Sequence, residues 1–166
     1  PDSPYGRSKK LIHDSVVNTH NFYNLRIYGL FDENELDTRF IKSNLLRYIK
    51  KEPLVVHTNK VMDFFYMRDL IYLVRYYINS DTPVSDASCV YKEKFTLVHI
   101  AELINQLDTY EVPIHVENKG KMDVAYCAKD KIPPGELIGL RRGIEQTYKN
   151  IIGKQAMLHL ERMKTK

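Results

Sequence analysis

Tyr5 and Lys9 stand four residues apart in Ser3-Pro4-Tyr5-Gly6-Arg7-Ser8-Lys9, a segment that reads as the start of an amphipathic helix. Residues at that offset share a helix face, so phenol and ammonium are presented to the same volume. A free Tyr titrates near pH 10, and using it as an acid or base near neutrality means lowering its pKa by roughly three, about 4 kcal/mol. A Lys one turn away, joined by a second positive charge, supplies such a shift. The pair reads as a proton-transfer device.

The elements that must position this pair follow from periodicity. Ser3 is a good N-cap and Pro4 suits the first helical position, and the helix is expected to end by His20-Asn21. Asn24 to Tyr28 is apolar and β-branched and runs into Gly29, a strand meeting a turn. An acidic stretch from Asp32 to Asp37 reads as a polar loop. Phe40, Ile41, Leu45, Leu46 and Ile49 then recur at helical spacing until Pro53 stops them. Leu54 to His57 predicts a second strand, and Val61 to Met67 a third extended segment. Asp69 is expected to cap the helix that carries Leu70, Leu73, Val74 and Tyr77. A strand at Cys89 to Tyr91, a helix from Thr96 to Leu107, a strand at Val112 to Val116 and a last helix from Leu140 to Lys154 or beyond complete the pattern. Strands alternating with helices argue an α/β fold.

Composition narrows the function classes. At 166 residues the chain is one domain or the larger part of one, with twelve Tyr, six Phe and no Trp. The net charge of +4 comes from scattered Lys and Arg, and the densest run, Arg47 to Lys51, suits a solvated helix end. No basic stripe with interleaved aromatics marks a nucleic-acid surface. No apolar run reaches the roughly 18 residues of a membrane span, so no membrane role is expected and the reading is cytoplasmic. Cys89 and Cys127 match no zinc or redox spacing and read as reduced thiols. The six His form no ligand spacing or carboxylate-paired pattern, so no metal is expected. Gly135, Gly139 and Gly143 read as turn and cap glycines, since Arg141, Arg142 and Glu145 exclude a membrane helix.

Taken in order, Tyr5-x-x-x-Lys9, the strand Leu25-Arg26-Ile27-Tyr28-Gly29, the segment Asp63-Phe64-Phe65-Tyr66-Met67-Arg68-Asp69-Leu70 and the helix Gly143 to Tyr148 resemble an extended short-chain dehydrogenase/reductase. Within it the resemblance is to the nucleotide-sugar epimerase/dehydratase/reductase group, and it covers nearly the whole chain. It implies the C-terminal portion of a Rossmann-like NAD(P)-binding fold plus a small α/β substrate-binding subdomain. Residues 1–30 would be the last catalytic helix and strand of the Rossmann-like domain, and 31–166 mainly the subdomain, with about 54–80 returning to the Rossmann-like sheet. Tyr5 would exchange a proton with the sugar hydroxyl or ketone, and Lys9 would hold the nicotinamide ribose and lower the Tyr5 pKa. Tyr28 and Gly29 would line the cofactor, NAD or NADP, and the nucleotide-sugar substrate. The catalytic Ser or Thr and the Gly-rich dinucleotide fingerprint of the family would lie before residue 1, because none of the seven glycines spells that fingerprint after a strand.

Two positions depart from the family pattern. Met62 stands where many relatives carry an Arg for the nucleotide diphosphate, and Lys60, two residues earlier on the same side of an extended strand, is the expected substitute. Arg39 stands where the fucose-synthase branch uses a His, which disfavours that double epimerisation. Arg39, Lys60 and Arg68 are therefore the expected substrate-binding cations. The leading expectation is an epimerase or 4-keto-sugar reductase, present as a C-terminal fragment inactive alone. The alternative is a non-catalytic sugar-nucleotide-binding or assembly subunit. The wide apolar arc of Leu11, Ile12, Val16 and Val17 predicts a homodimer or oligomer built around residues 11–28.

Overall fold

Three strand pairs are all parallel, and parallel neighbours demand long crossover connections rather than tight hairpins. The computed structural model describes residues 3–16, 19, 22–81, 86–120, 123–128, 133 and 135–164. In chain order the elements are α1 (Pro4–Val16), β1 (Asn24–Ile27), β2 (Leu30–Phe31), α2 (Phe40–Ile49), β3 (Leu54–Val56), β4 (Phe65–Tyr66), α3 (Met67–Asn79), β5 (Asp86–Cys89), α4 (Leu97–Asn105), β6 (Ile114–Val116) and α5 (Leu140–Lys164). Strand β1 pairs with β5, β2 with β4, and β3 with β6.

Two apolar cores form around these pairs. The larger joins Ile41 and Leu45 of α2, Leu54 and Val56 of β3, Ile100 and Ile104 of α4, and Ile144 and Tyr148 of α5. The smaller joins Phe65 of β4, Leu73 and Tyr77 of α3, and Ala87 and Cys89 of β5, with Leu25 of β1 packed on it. Burial pushes the Cys89 thiol up to about 11, so it packs as an apolar group. Two side-chain amides, Asn44 buried and Asn105 partly so, bond the backbone beside the short strands. Asn44 of α2 accepts from the Val55 N–H (2.8 Å) and donates to the Val55 carbonyl (3.1 Å), and Asn105 of α4 treats Val112 the same way at 3.1 and 2.9 Å.

Several sequence expectations change in their details. The expected helix end at His20-Asn21 lies outside the described residues, but Ser3 does cap α1, its Oγ accepting from the Gly6 N–H at 3.0 Å. Thr96 likewise caps α4. Only Phe65–Tyr66 of the expected 61–67 strand pairs along its length, with Val61 and Met62 making isolated bridges. The strand expected at Cys89 to Tyr91 sits earlier, where Asp86 to Cys89 meets β1 residue for residue. Gly143 is no cap. It lies inside α5, where a Cβ would stand 2.9 Å from Tyr66 Cγ and 3.0 Å from Phe31 Cζ, so the helix approaches β2 and β4 only because that position is bare.

Asp69 also differs from expectation. The N-cap of α3 is Tyr66, and Asp69 is the third residue inside the helix, fully buried. Its carboxylate accepts from the Tyr91 hydroxyl (2.5 Å), the Ile138 N–H (2.8 Å) and the Gly139 N–H (3.0 Å). The Tyr91 oxygen in turn accepts from the Tyr66 N–H at 3.0 Å, and burial together with Asp69 pushes the Tyr91 phenol well above its ordinary value. One side chain thus fixes the start of α3, the segment after β5 and the approach to α5. Asp69→Ala would remove the acceptor of three part-buried donors at once, a loss of about 2–3 kcal/mol, against about 1 kcal/mol for Tyr91→Phe. Urea unfolding of the two variants beside the parent checks the ranking.

Candidate functional site

Tyr28 leaves the carboxyl end of β1, and Gly29 turns the chain into β2. The glycine is needed for space: a Cβ there would lie 3.0 Å from both the Asp63 carbonyl and Phe64 Cδ1, and the Gly29 carbonyl accepts from the Phe65 N–H at 2.7 Å. Beside this turn opens a pocket of about 210 Å³, walled by Tyr28, Gly29, Glu35, Arg39, Met62 and Phe64 among others. Tyr28 is braced by an edge-to-face contact with Tyr126, ring centroids 5.2 Å apart. Its burial pushes the phenol up, partly offset by the Arg26 charge.

Phe64 and Met62 give the pocket an apolar wall, and Asp63 between them is turned inward. The Asp63 carboxylate takes two hydrogen bonds from Lys94 Nζ (2.8 and 3.0 Å) and one from the Ala128 N–H (2.7 Å). This ion pair, buried on the Asp63 side, anchors the segment before β4 from which Met62 and Phe64 reach the pocket.

Glu35 is the group that sequence reasoning missed, because an acid in a run of acids looks like a solvated loop. In the fold it lines both this pocket and a neighbouring cleft with Asn34 and Met67. Burial pushes its carboxyl up to about 7, against the Lys42 N–H (3.3 Å) and the Arg39 charge, which favour the ionised form.

The expected site residues divide between places. Tyr28, Gly29 and Arg39 converge on the one pocket. Lys60 is not part of its wall and pairs instead with Asp123 at 3.4 Å, while Met62 occupies the wall itself. Arg68 lines a different pocket with Tyr66 and residues of α5. Tyr5 and Lys9 lie on α1, a helix with no buried residue, where Lys9 Nζ stands 5.5 Å from the Tyr5 ring centroid and Tyr5 is 69% exposed. A single side-chain bond, His13 to Asn24 at 3.0 Å, links α1 to β1 among the described residues. The six His also depart from expectation at one point, since His57 pairs with Glu117 at 2.5 Å. No cluster able to hold a metal occurs among the described residues.

No family model and no curated protein matches the chain. Solved structures do. UDP-glucuronic acid 4-epimerase from Bacillus cereus, in complex with UDP-glucuronic acid and NAD, superposes with a TM-score of 0.68 at 16% identity over 92% of this chain and 54% of that one. The chain has the fold of the carboxy-terminal part of the NAD-dependent nucleotide-sugar epimerases and dehydratases. UDP-N-acetylglucosamine 4-epimerase from Methanobrevibacter ruminantium M1 matches at TM-score 0.66 and 20% identity, over 93% and 55% of the two chains. The NAD complex of dTDP-glucose 4,6-dehydratase from Bacillus anthracis str. Ames matches at 0.64 and 15%, over 93% and 53%. The chain therefore spans about half the length of these neighbours, 53–55%.

The raised Glu35 pKa fixes a pH response. Folding makes Glu35 hold its proton more tightly, so its share of stability is present below the ordinary value of 4.5 and is lost as pH rises through about 7. Glu35→Gln keeps an acceptor for Lys42 but removes the titration. It should exceed the parent by roughly 1–2 kcal/mol near pH 8 and match it near pH 4.5. Denaturant unfolding across that range checks this, and parallel curves would count against it.

Proposed function

We propose that this chain is the substrate-side half of an NAD(P)-dependent nucleotide-sugar epimerase or 4-keto-sugar reductase. The observation that carries the reading is the pocket at the carboxyl end of β1, where Tyr28, Gly29 and Arg39 meet in a fold shared with enzymes of that chemistry. Ligands of open parallel sheets gather outside the carboxyl ends of their strands. The described residues suit the reacting end of a dinucleotide, with an apolar wall, one guanidinium and a neutral phenol. They include no glycine-rich turn from strand into helix to hold a pyrophosphate, so that part would come from the portion of the neighbours this chain does not span.

Bound there, the nicotinamide would accept or return a hydride at a sugar carbon. Tyr5 would move the matching proton at its phenolic oxygen, and Lys9, on the same face of α1, would favour the phenolate. Arg39 would face the anionic part of a sugar nucleotide, with Lys60 held back by Asp123. The exposed Leu11 and Ile12 of α1 suit burial against a second copy, which makes a homodimer the proposed assembly.

Two measurements test this. Alone, the 166-residue chain should show no micromolar NAD binding by calorimetry. In a catalytic unit that includes the dinucleotide-binding half, Tyr5→Phe should lower kcat by about 10²-fold or more. Because Tyr5 is largely exposed, the variant should fold normally. Near-full activity in Tyr5→Phe would remove the acid/base assignment, and nucleotide-sugar binding with no turnover would favour a non-catalytic role.

A further inference from the structure

Three cations crowd one pocket on the α3–α5 side of the molecule. Arg68, Arg142 and Lys149 line a cavity of about 320 Å³ together with Tyr66, Gln146 and a single carboxylate, Glu145. None of the three makes an ion pair among the described residues. Glu33, an acid outside the lining, is shared between Lys154 at 4.0 Å and the Arg68 charge, which also favours its ionised form.

The placement is costly as it stands. Arg68 is in the first turn of α3 and Arg142 in the first turn of α5, the positive ends of the two helix dipoles, where acids are favoured and cations are not. The acid available in the α3 first turn, Asp69, is spent inward on Tyr91, Ile138 and Gly139. A further polar group is left incomplete on the same wall: Tyr66 is 1% exposed and its hydroxyl has no hydrogen-bond partner among the described residues. Gln146 directs its amide N–H₂ to Asn150 at 2.9 Å. Three cations against one carboxylate leave a local charge of +2, two of the three being planar guanidinium forks that match oxyanion geometry.

We propose that this pocket binds a phosphate dianion, gripped between Arg68 and Arg142, with Lys149 as a point charge and the Tyr66 hydroxyl donating to one oxygen. An anion there reverses the unfavourable dipole contacts, gives the stranded phenol an acceptor and neutralises the excess charge. A phosphate monoester is a better match than a carboxylate, which carries half the charge. The site is separate from the Tyr28 pocket, and the inference does not rest on the function proposed for that pocket.

The test is amide chemical-shift titration of the 166-residue chain with inorganic phosphate, and separately with glycerophosphate, at ionic strength held constant by chloride. Saturable shifts should centre on the first turns of α3 and α5. Tighter binding of glycerophosphate assigns the site to a phosphorylated metabolite, and equal or tighter binding of phosphate to the free ion. The double variant Arg68→Gln/Arg142→Gln, both exposed positions, should weaken binding by at least about tenfold, the scale of one lost charge-assisted hydrogen bond. Tyr66→Phe, which keeps the packing, should weaken it severalfold. Arg141→Ala, whose side chain is bonded to Gln106 outside the pocket, should leave it unchanged. Non-saturating shifts, or a double variant that binds like the parent, would overturn the site. Unchanged binding in Tyr66→Phe would overturn the role of the phenol, and displacement of phosphate by UDP-glucose would overturn the separateness of the two pockets.

Discussion

The buried carboxylate of Asp69 is the constraint on which the rest depends. Sheets of two short strands cannot hold a domain together by their own ladders, so the pairs must be locked to one another by something else. Asp69, on α3, does this by gathering donors from two segments distant in sequence: Tyr91 just after β5, and the backbone just before α5. A buried acceptor set with every bond made is directional, whereas apolar packing is not. It therefore fixes how the smaller core, under β1 and β5, meets the larger one under α5. Gly143 completes the arrangement by letting α5 lie against the rings of Tyr66 and Phe31.

The sequence was most legible where periodicity and caps speak locally. Ser3 and Thr96 sit at helix starts because their hydroxyls satisfy orphan N–H groups, and both caps are present. Phe40, Ile41 and Leu45 recur at helical spacing because one face of α2 is buried. The fold class was legible because helices alternate with strands, as parallel pairing requires. What was not legible depends on tertiary partners. Asp69 looks like a cap in a string of letters, and only the arrival of Tyr91, Ile138 and Gly139 makes it a hub. The spacing of Lys60 and Met62 gave no hint that Asp123 would claim the ammonium. Glu35 carries no local mark of its desolvation, which comes from packing beside Lys42 of α2 and the pocket walls.

The same distinction separates the cations. Arg39, Lys60 and Arg68 look equivalent on an unfolded chain, yet the fold gives each a different setting. Arg39 opens α2 at the rim of the Tyr28 pocket, Lys60 is tethered, and Arg68 stands with Arg142 and Lys149. Charge alone did not decide this. The neighbours that each position meets in the fold did.

Helix α1 carries the pair with the clearest chemistry and is only lightly held among the described residues. With no buried residue and, among the described residues, one side-chain bond to β1, it draws little stability from the two cores. Thirteen residues are near or below the length at which an isolated helix persists in water. Its hydrogen exchange should then resemble that of a free peptide, while α2 and α4 exchange only through global opening. Helicity in α1 becomes a quantity set from outside, by whatever surface covers Leu11 and Ile12. The distance between the Tyr5 phenol and the Lys9 ammonium exists only while that helix is wound. A surface that covered Leu11 and Ile12 would thereby also set how often Tyr5 and Lys9 share a face.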